Sequence, residues 1–175
     1  GQPMHFYSGV DTRALGILRA DHMVHLRCEV TDPQVAVMLE QRIAHPLVRL
    51  VSVMDHAPGH RQMKDAAHLR DTWMIGANGM SPEQADREID ALMERSRSVA
   101  PAMREKVVAM AHGRDIAVAS HDDETAEHVE MAADLGIDIA EFPTTVEAAR
   151  VAHACGIAVL MGGPNLVRGG SHSGN

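Results

Sequence analysis

Short apolar runs beginning at Met23, Val48, Ile116, Ile137 and Ile157 alternate with segments that carry helix signals. That alternation constrains the chain more than any other feature, because it is the pattern of an α/β fold with a parallel sheet. Val48 to Met54 (VRLVSVM) is a continuous, β-branched run, as expected of a strand buried on both faces. Met23 to Val30 reads as the preceding strand. Asp32-Pro33 then supplies a cap and a first-turn proline for a helix predicted to reach about Ala44.

Ala57 to Gly79 has no clear period and reads as an excursion with at most a short helix around Asp65 to Met74. Ser81-Pro82-Glu83-Gln84 is a capping box that opens a helix with the apolar stripe Ala85, Ile89, Leu92 and Met93. Pro101 divides it from a second helical pattern, for which Gly113 is the expected stop. Strand, helix, strand, helix, strand then follow at Ile116 to Ser120, Thr125 to Leu135, Ile137 to Glu141, Val146 to Cys155 and Ile157 to Met161. Thr144 to Glu147 reads as a second capping box, with Gly136 and Gly156 ending their helices.

Five strands fit either an open doubly wound sheet or part of an eight-stranded barrel, which in full needs ~250 residues. Gly162 to Asn175 reads as a glycine-rich loop with no helix to cover the sheet, and the chain lacks an initiator Met. Both features lead us to expect a piece of a longer protein. A composition of 45% hydrophobic and 23% charged residues excludes disordered and fibrous classes. The sequence has no apolar run of the ~18 to 20 residues that span a bilayer, and its start has no signal-peptide pattern. We therefore expect a cytoplasmic protein without a membrane partner.

A net charge of −8 and only four aromatic residues argue against nucleic acid as a partner, since neither a basic surface nor a stacking platform is available. Cys28 and Cys155 form no CxxC pattern and are expected to be buried hydrophobes, with the twelve methionines filling a core poor in aromatics. Twelve histidines beside two lysines point instead to metal or acid-base chemistry.

In parallel sheets ligands bind where strands end and βα loops converge. Those ends read His25-Leu-Arg27-Cys-Glu29, Asp55-His56, His121-Asp122-Asp123-Glu124, Glu141 and Asn165. Period two places His25, Arg27 and Glu29 on one strand face, and places Asp123 with His121 if the strand continues that far. The set suggests a metal centre of Glu29, His56 and His121, with Asp123 or Glu141 as general base or as the group that orients a ligand. Arg27 is a candidate substrate-binding cation in the same row. Gly162 to Asn175 suits phosphate: its glycines allow close backbone approach, Arg168 offers a planar fork, and Ser171 and His172 add donors. Arg61 is a second cation, read as a solvated loop charge. His45, His68, His112, His128 and His153 fall on helices or excursions and are left out of the site.

The strings HLRCE (His25 to Glu29), VSVMDHAPGHRQ (Val51 to Gln62), ASHDDET (Ala119 to Thr125), AEFPTTVEAA (Ala140 to Ala149) and VLMGGPNLVRGGSHSGN (Val159 to Asn175) resemble one family. It is the alpha-D-ribose 1-methylphosphonate 5-triphosphate diphosphatases of the carbon-phosphorus lyase pathway, in the amidohydrolase superfamily. The resemblance runs in order from about Asp21 onward. It implies a metal-dependent (β/α)₈ TIM-type barrel that hydrolyses a ribosyl triphosphate to the 5-phosphate and pyrophosphate.

On that resemblance the five strands are numbers three to seven of a single barrel domain. The first strand, with a histidine-containing metal motif, and the eighth, with a catalytic aspartate, would lie outside residues 1–175, leaving this piece inert alone. Glu29 matches in type a metal-bridging residue of the middle strands, and His121 matches the fifth-strand histidine. The sixth strand departs from the pattern, giving Glu141 where a histidine is usual, and His56 on the fourth strand is the substitute. The implied cofactor is a divalent metal, zinc first, with manganese or iron as alternatives. The implied partners are the small-molecule ribosyl triphosphate and further copies of the chain in a homo-oligomer. Two other readings stay open: amidohydrolase action on a cyclic amide or deaminable base, and a non-catalytic α/β module that binds phosphate.

Overall fold

The computed structural model of the chain describes residues 20–58 and 66–169. Its elements run β1 (Val24–Glu29), α1 (Val35–Glu40), β2 (Val48–Met54), α2 (Ala66–His68), α3 (Pro82–Ser98), α4 (Ala100–His112), β3 (Ala117–His121), α5 (Ala126–Asp134), β4 (Ile139–Glu141), α6 (Val146–Ala154), β5 (Ala158–Leu160) and α7 (Gly163–Arg168). The five strands form one sheet in the order β1-β2-β3-β4-β5, every neighbouring pair parallel. A doubly wound sheet reverses its strand order at a switch point. No reversal occurs among the described strands, so the sheet is compatible with part of a TIM-type barrel.

The pleat sorts the strands into two faces. Leu26, Cys28, Val51, Val53, Val118 and Ala140 point to the helices, where they pack with Val35, Leu39, Val107, Val108, Val129, Ala132, Ala148 and Ala152 in one apolar core. Burying each such valine or leucine contributes about 1.5–3 kcal/mol. The opposite face carries His25, Arg27, Glu29, Ser52, His121 and Glu141. The register sets Arg27 beside Ser52, Glu29 beside Met54 and His121 beside Glu141.

Several local expectations change. The first helix is six residues long and ends at Glu40 rather than reaching Ala44, with Asp32 Oδ1 accepting from the Gln34 amide before it. After α2 the chain widens into π-type hydrogen bonding over Leu69–Ala77, so the excursion holds more helix than its weak period suggests. Ser81 and Gln84 do form the reciprocal capping box, and Pro101 lies in the first turn of α4. Gly113 caps α4 with an ordinary right-handed φ of −62°, and the left-handed residue comes later, at Asp115 (φ 56°). Gly136 and Gly156 adopt φ of 71° and 78°, as helix-ending glycines do.

The cap of α6 is Thr145, whose hydroxyl accepts from the Ala148 amide at 3.0 Å; the pattern at Thr144 to Glu147 is one residue early. Gly162 to Asn175 is not all loop, because Gly163–Arg168 forms α7 with Pro164 in its first turn. Cys28 is buried, and burial pushes its thiol up to about 12, but Cys155 is exposed. Among the described methionines Met54 and Met74 are buried and Met103 and Met110 pack partly buried against the core, while Met23, Met38, Met131 and Met161 are exposed; methionine fills the margin of the core and valine and alanine most of its interior.

Thr145 joins two layers of this arrangement. Besides capping α6, its hydroxyl donates to the Glu124 carbonyl at 2.7 Å, tying the loop after β4 to the loop after β3. Thr145→Ala removes a cap and a hydrogen bond together. We expect a loss of about 1–3 kcal/mol in chemical denaturation, with Thr145→Ser retaining most of it.

Candidate metal centre

Each functional side chain arrives from a different strand end. Glu29 closes β1, His56 lies two residues past β2, His121 closes β3 and Glu141 closes β4. The residues that follow β3 and β4 turn sharply: Asp122 and Phe142 both adopt left-handed backbone, φ 55° and 57°. Their amides continue the ladder, Asp122 N–H to the Glu141 carbonyl and Phe142 N–H to the Leu160 carbonyl, each at 2.9 Å. Aspartate tolerates that conformation and phenylalanine does so at a cost, a form of strain that collects at functional sites. The Phe142 ring meets His121 edge-on, with centroids 5.8 Å apart.

This turn corrects the placement of Asp123. The strand conformation ends at His121, so alternation does not carry Asp123 to the His121 face. Asp123 is 1% exposed, and its carboxylate accepts instead from the hydroxyl of Ser120, which lies on the helix-facing side. Asp122 takes the position expected of Asp123, its Oδ2 3.3 Å from His121 Nε2.

His56, His121 and Asp122 form a group whose potential ligand atoms all lie within 4.8 Å of one another. Both imidazoles are backed by carboxylates: His56 Nδ1 lies 2.7 Å from Glu29 Oε2, and His121 Nδ1 2.8 Å from Glu141 Oε2. Metal-binding histidines are usually held this way, the second nitrogen bonded to a carboxylate and the first turned to the ion. Glu29 is steadied in turn by the Thr31 hydroxyl at 2.8 Å and the His56 amide at 3.4 Å. The two rings stand edge to face, 5.5 Å between centroids.

On the same face Arg27 donates to His121 Nε2 at 3.1 Å and to Met54 Sδ at 3.1 Å, and His25 Nε2 contacts the Ser52 hydroxyl at 2.9 Å. Three carboxylates (Glu29, Asp122, Glu141) against one guanidinium leave two negative charges when the imidazoles are neutral. A divalent cation matches that excess, and the nitrogen and oxygen donors suit zinc, manganese or iron.

Protonation follows from these contacts. Burial, the largest influence on Glu141, pushes its pKa up, but the His121 hydrogen bond and the charges of His121, His25 and Arg27 together outweigh it, leaving the carboxyl below its usual range. Burial holds His25 below the usual histidine value. The Glu29 hydrogen bond holds His56 above 6.5 despite its burial. Without metal, the His56–Glu29 pair therefore adds stability that is full below about pH 6.5 and is lost as pH rises through the raised value.

A metal held by His56 would need the imidazole neutral, so its binding would run the other way. We expect metal affinity, measured by chelator competition, to keep rising above pH 6.5, and Glu29→Gln to move that transition down. A plateau already reached below pH 6.5 would contradict the pairing.

The sequence reading placed Glu29, His56, His121, Glu141 and Arg27 at one end of the sheet, and the structure brings all five together. It missed Asp122. Arg168 lies on α7, its Nε donating to the Pro164 carbonyl at 3.2 Å one turn back. Ser171, His172 and Arg61 lie outside the described residues. Among the described residues no helix is long and apolar enough to cross a membrane. Asp55, also at a strand end, serves the scaffold: it accepts from Ser96 Oγ at 2.7 Å and pairs with buried Arg104 at 3.8 Å.

No family model matches the chain, and no solved structure matches it. Over 165 residues, 94% of its length, the chain is 42% identical to the alpha-D-ribose 1-methylphosphonate 5-triphosphate diphosphatase of Escherichia coli (strain K12). The resemblance drawn from the five sequence strings is thereby borne out, with the chain spanning 43% of that relative's length.

Proposed function

We propose that the protein carrying this sequence is a metal-dependent diphosphatase that cleaves the triphosphate of alpha-D-ribose 1-methylphosphonate 5-triphosphate to the 5-phosphate and pyrophosphate. We further propose that its five strands are part of a (β/α)₈ barrel. The observation that carries the reading is the convergence of His56, His121 and Asp122 at the strand ends, each imidazole backed by its own carboxylate. The similarity to the Escherichia coli enzyme supports the substrate class.

In this reading His56, His121 and Asp122 hold the ion. A divalent metal bound there supplies a water of lowered pKa and offsets the charge of the phosphates. Glu141 keeps the proton on His121 Nδ1, so that Nε2 presents its lone pair, and Glu29 does the same for His56. Asp123 supports the turn through Ser120. Arg27, exposed on the same face, and Arg168 beyond β5 are the cations assigned to the phosphate oxygens, where a charged hydrogen bond is worth roughly 1.5–3 kcal/mol. Ser171 and His172 keep their assignment as further phosphate donors.

Product analysis tests the chemistry. The ribosyl triphosphate should yield pyrophosphate and the 5-phosphate in equal amounts, while cyclic amides and deaminable bases remain intact. Hydrolysis of a cyclic amide with no pyrophosphate release would instead establish amidohydrolase action.

A further inference from the structure

The Arg27 guanidinium stands 3.1 Å from the nitrogen that His121 would present to a metal. A guanidinium has five donors and no acceptor, so this contact is a hydrogen bond only when Nε2 carries a lone pair and Nδ1 carries the proton. Glu141 Oε2, 2.8 Å from Nδ1, accepts the hydrogen bond of that N–H. In that tautomer Arg27 holds His121 ready to ligate and at the same time occupies its ligating electron pair. Ion and guanidinium cannot share that pair, and two cations at such a distance repel.

Arg27 also has somewhere to go. Its side chain is exposed, held on the strand face by His121 and by the soft Met54 sulfur alone among the described contacts. Asp122, 3.3 Å from the same nitrogen, keeps the locus negative after the guanidinium leaves.

Resting on the metal-centre reading above, we infer that Arg27 is a placeholder cation. It holds His121 in the ligating tautomer while the site lacks metal, yields Nε2 when a divalent ion arrives, and then turns its planar fork to the phosphates of the substrate. Arg27 is therefore a positioning residue in one state and a substrate-binding residue in the other.

Zinc and inorganic pyrophosphate are the probes. Zinc affinity is measured by competition with a chromophoric chelator in wild type and Arg27→Met, and pyrophosphate affinity by calorimetry on the zinc-loaded proteins. The expected pair of changes has opposite signs: zinc binds at least about tenfold more tightly to Arg27→Met, and pyrophosphate at least about tenfold more weakly, one decade each. An arginine that merely braces the fold would weaken both, and that result, or unchanged zinc affinity, overturns the inference. Arg27→Gln, a neutral donor of similar reach, should also bind zinc more tightly.

Should both variants misfold, nitrogen-15 spectra of wild type decide. Metal-free protein should show His121 Nε2 unprotonated, and the Arg27 guanidinium signals should move on zinc saturation; guanidinium signals that stay put count against release. Failure of wild type to bind zinc, manganese or iron removes the metal centre and this inference with it. Tight binding with an unmoved Arg27 removes this inference alone.

Discussion

Replacing His121 by Asn is expected to strip the protein of metal and to lower ribosyl triphosphate turnover by more than the 10–100-fold typical of losing an outer partner of a metal ligand. His121 is the hub of the cluster: Glu141 at one nitrogen, Arg27 and Asp122 at the other, Phe142 and His56 against the ring. Its imidazole joins the donor set to Glu141, as that of His56 joins it to Glu29. Glu141→Gln should cost only about 10–100-fold, because the amide oxygen can still accept from Nδ1 while the charge is lost. Metal content by elemental analysis, read beside turnover, separates loss of the ion from loss of the fold. An Asn variant that keeps stoichiometric metal would show that His121 is not a ligand.

The second large effect is a contrast between neighbours. Asp122→Asn should lower metal affinity by more than about tenfold with little change in unfolding midpoint, since Asn tolerates left-handed backbone as Asp does. Asp123→Asn should do the reverse. Its buried carboxylate accepts from Ser120, and replacing that charge-assisted bond with a neutral one costs about 1 kcal/mol, without touching the ion. Equal losses of metal affinity in the two variants, with both midpoints unchanged, would contradict the turn geometry on which the site is built.

That contrast also marks where the sequence ceased to be a guide. Alternation along a strand is a property of extended backbone, and it placed Glu29, His121 and Glu141 correctly because each lies within a strand. One residue later the left-handed turn at Asp122 inverts the parity, and no periodicity registers that. The available signal was chemical: aspartate directly after a strand end, with a threonine cap three residues on, as in Asp122 and Thr125, permits left-handed backbone. The loop after β4 repeats the same step with Phe142 and Thr145, where two adjacent threonines made the capping pattern fit one residue early.

Buried strands announced themselves through β-branched runs, and the apolar core followed from them. The π-type stretch over Leu69–Ala77 did not, because its hydrogen bonding departs from the 3.6-residue repeat by which helices are recognised. Arg27 was legible as a cation on the right face. Its contact with His121 Nε2 came only from the parallel register that sets β1, β2 and β3 side by side.

His56, His121 and Asp122 are proposed to hold a catalytic divalent ion together. Crystals of the active protein grown with zinc, with diffraction measured on both sides of the zinc absorption edge, test it most directly. An anomalous peak is expected between these three side chains, about 2.0–2.2 Å from their nitrogen and oxygen atoms, with parallel loss of peak and turnover on chelation. Full turnover by protein that shows no peak there, or a peak bound wholly by other residues, would contradict it.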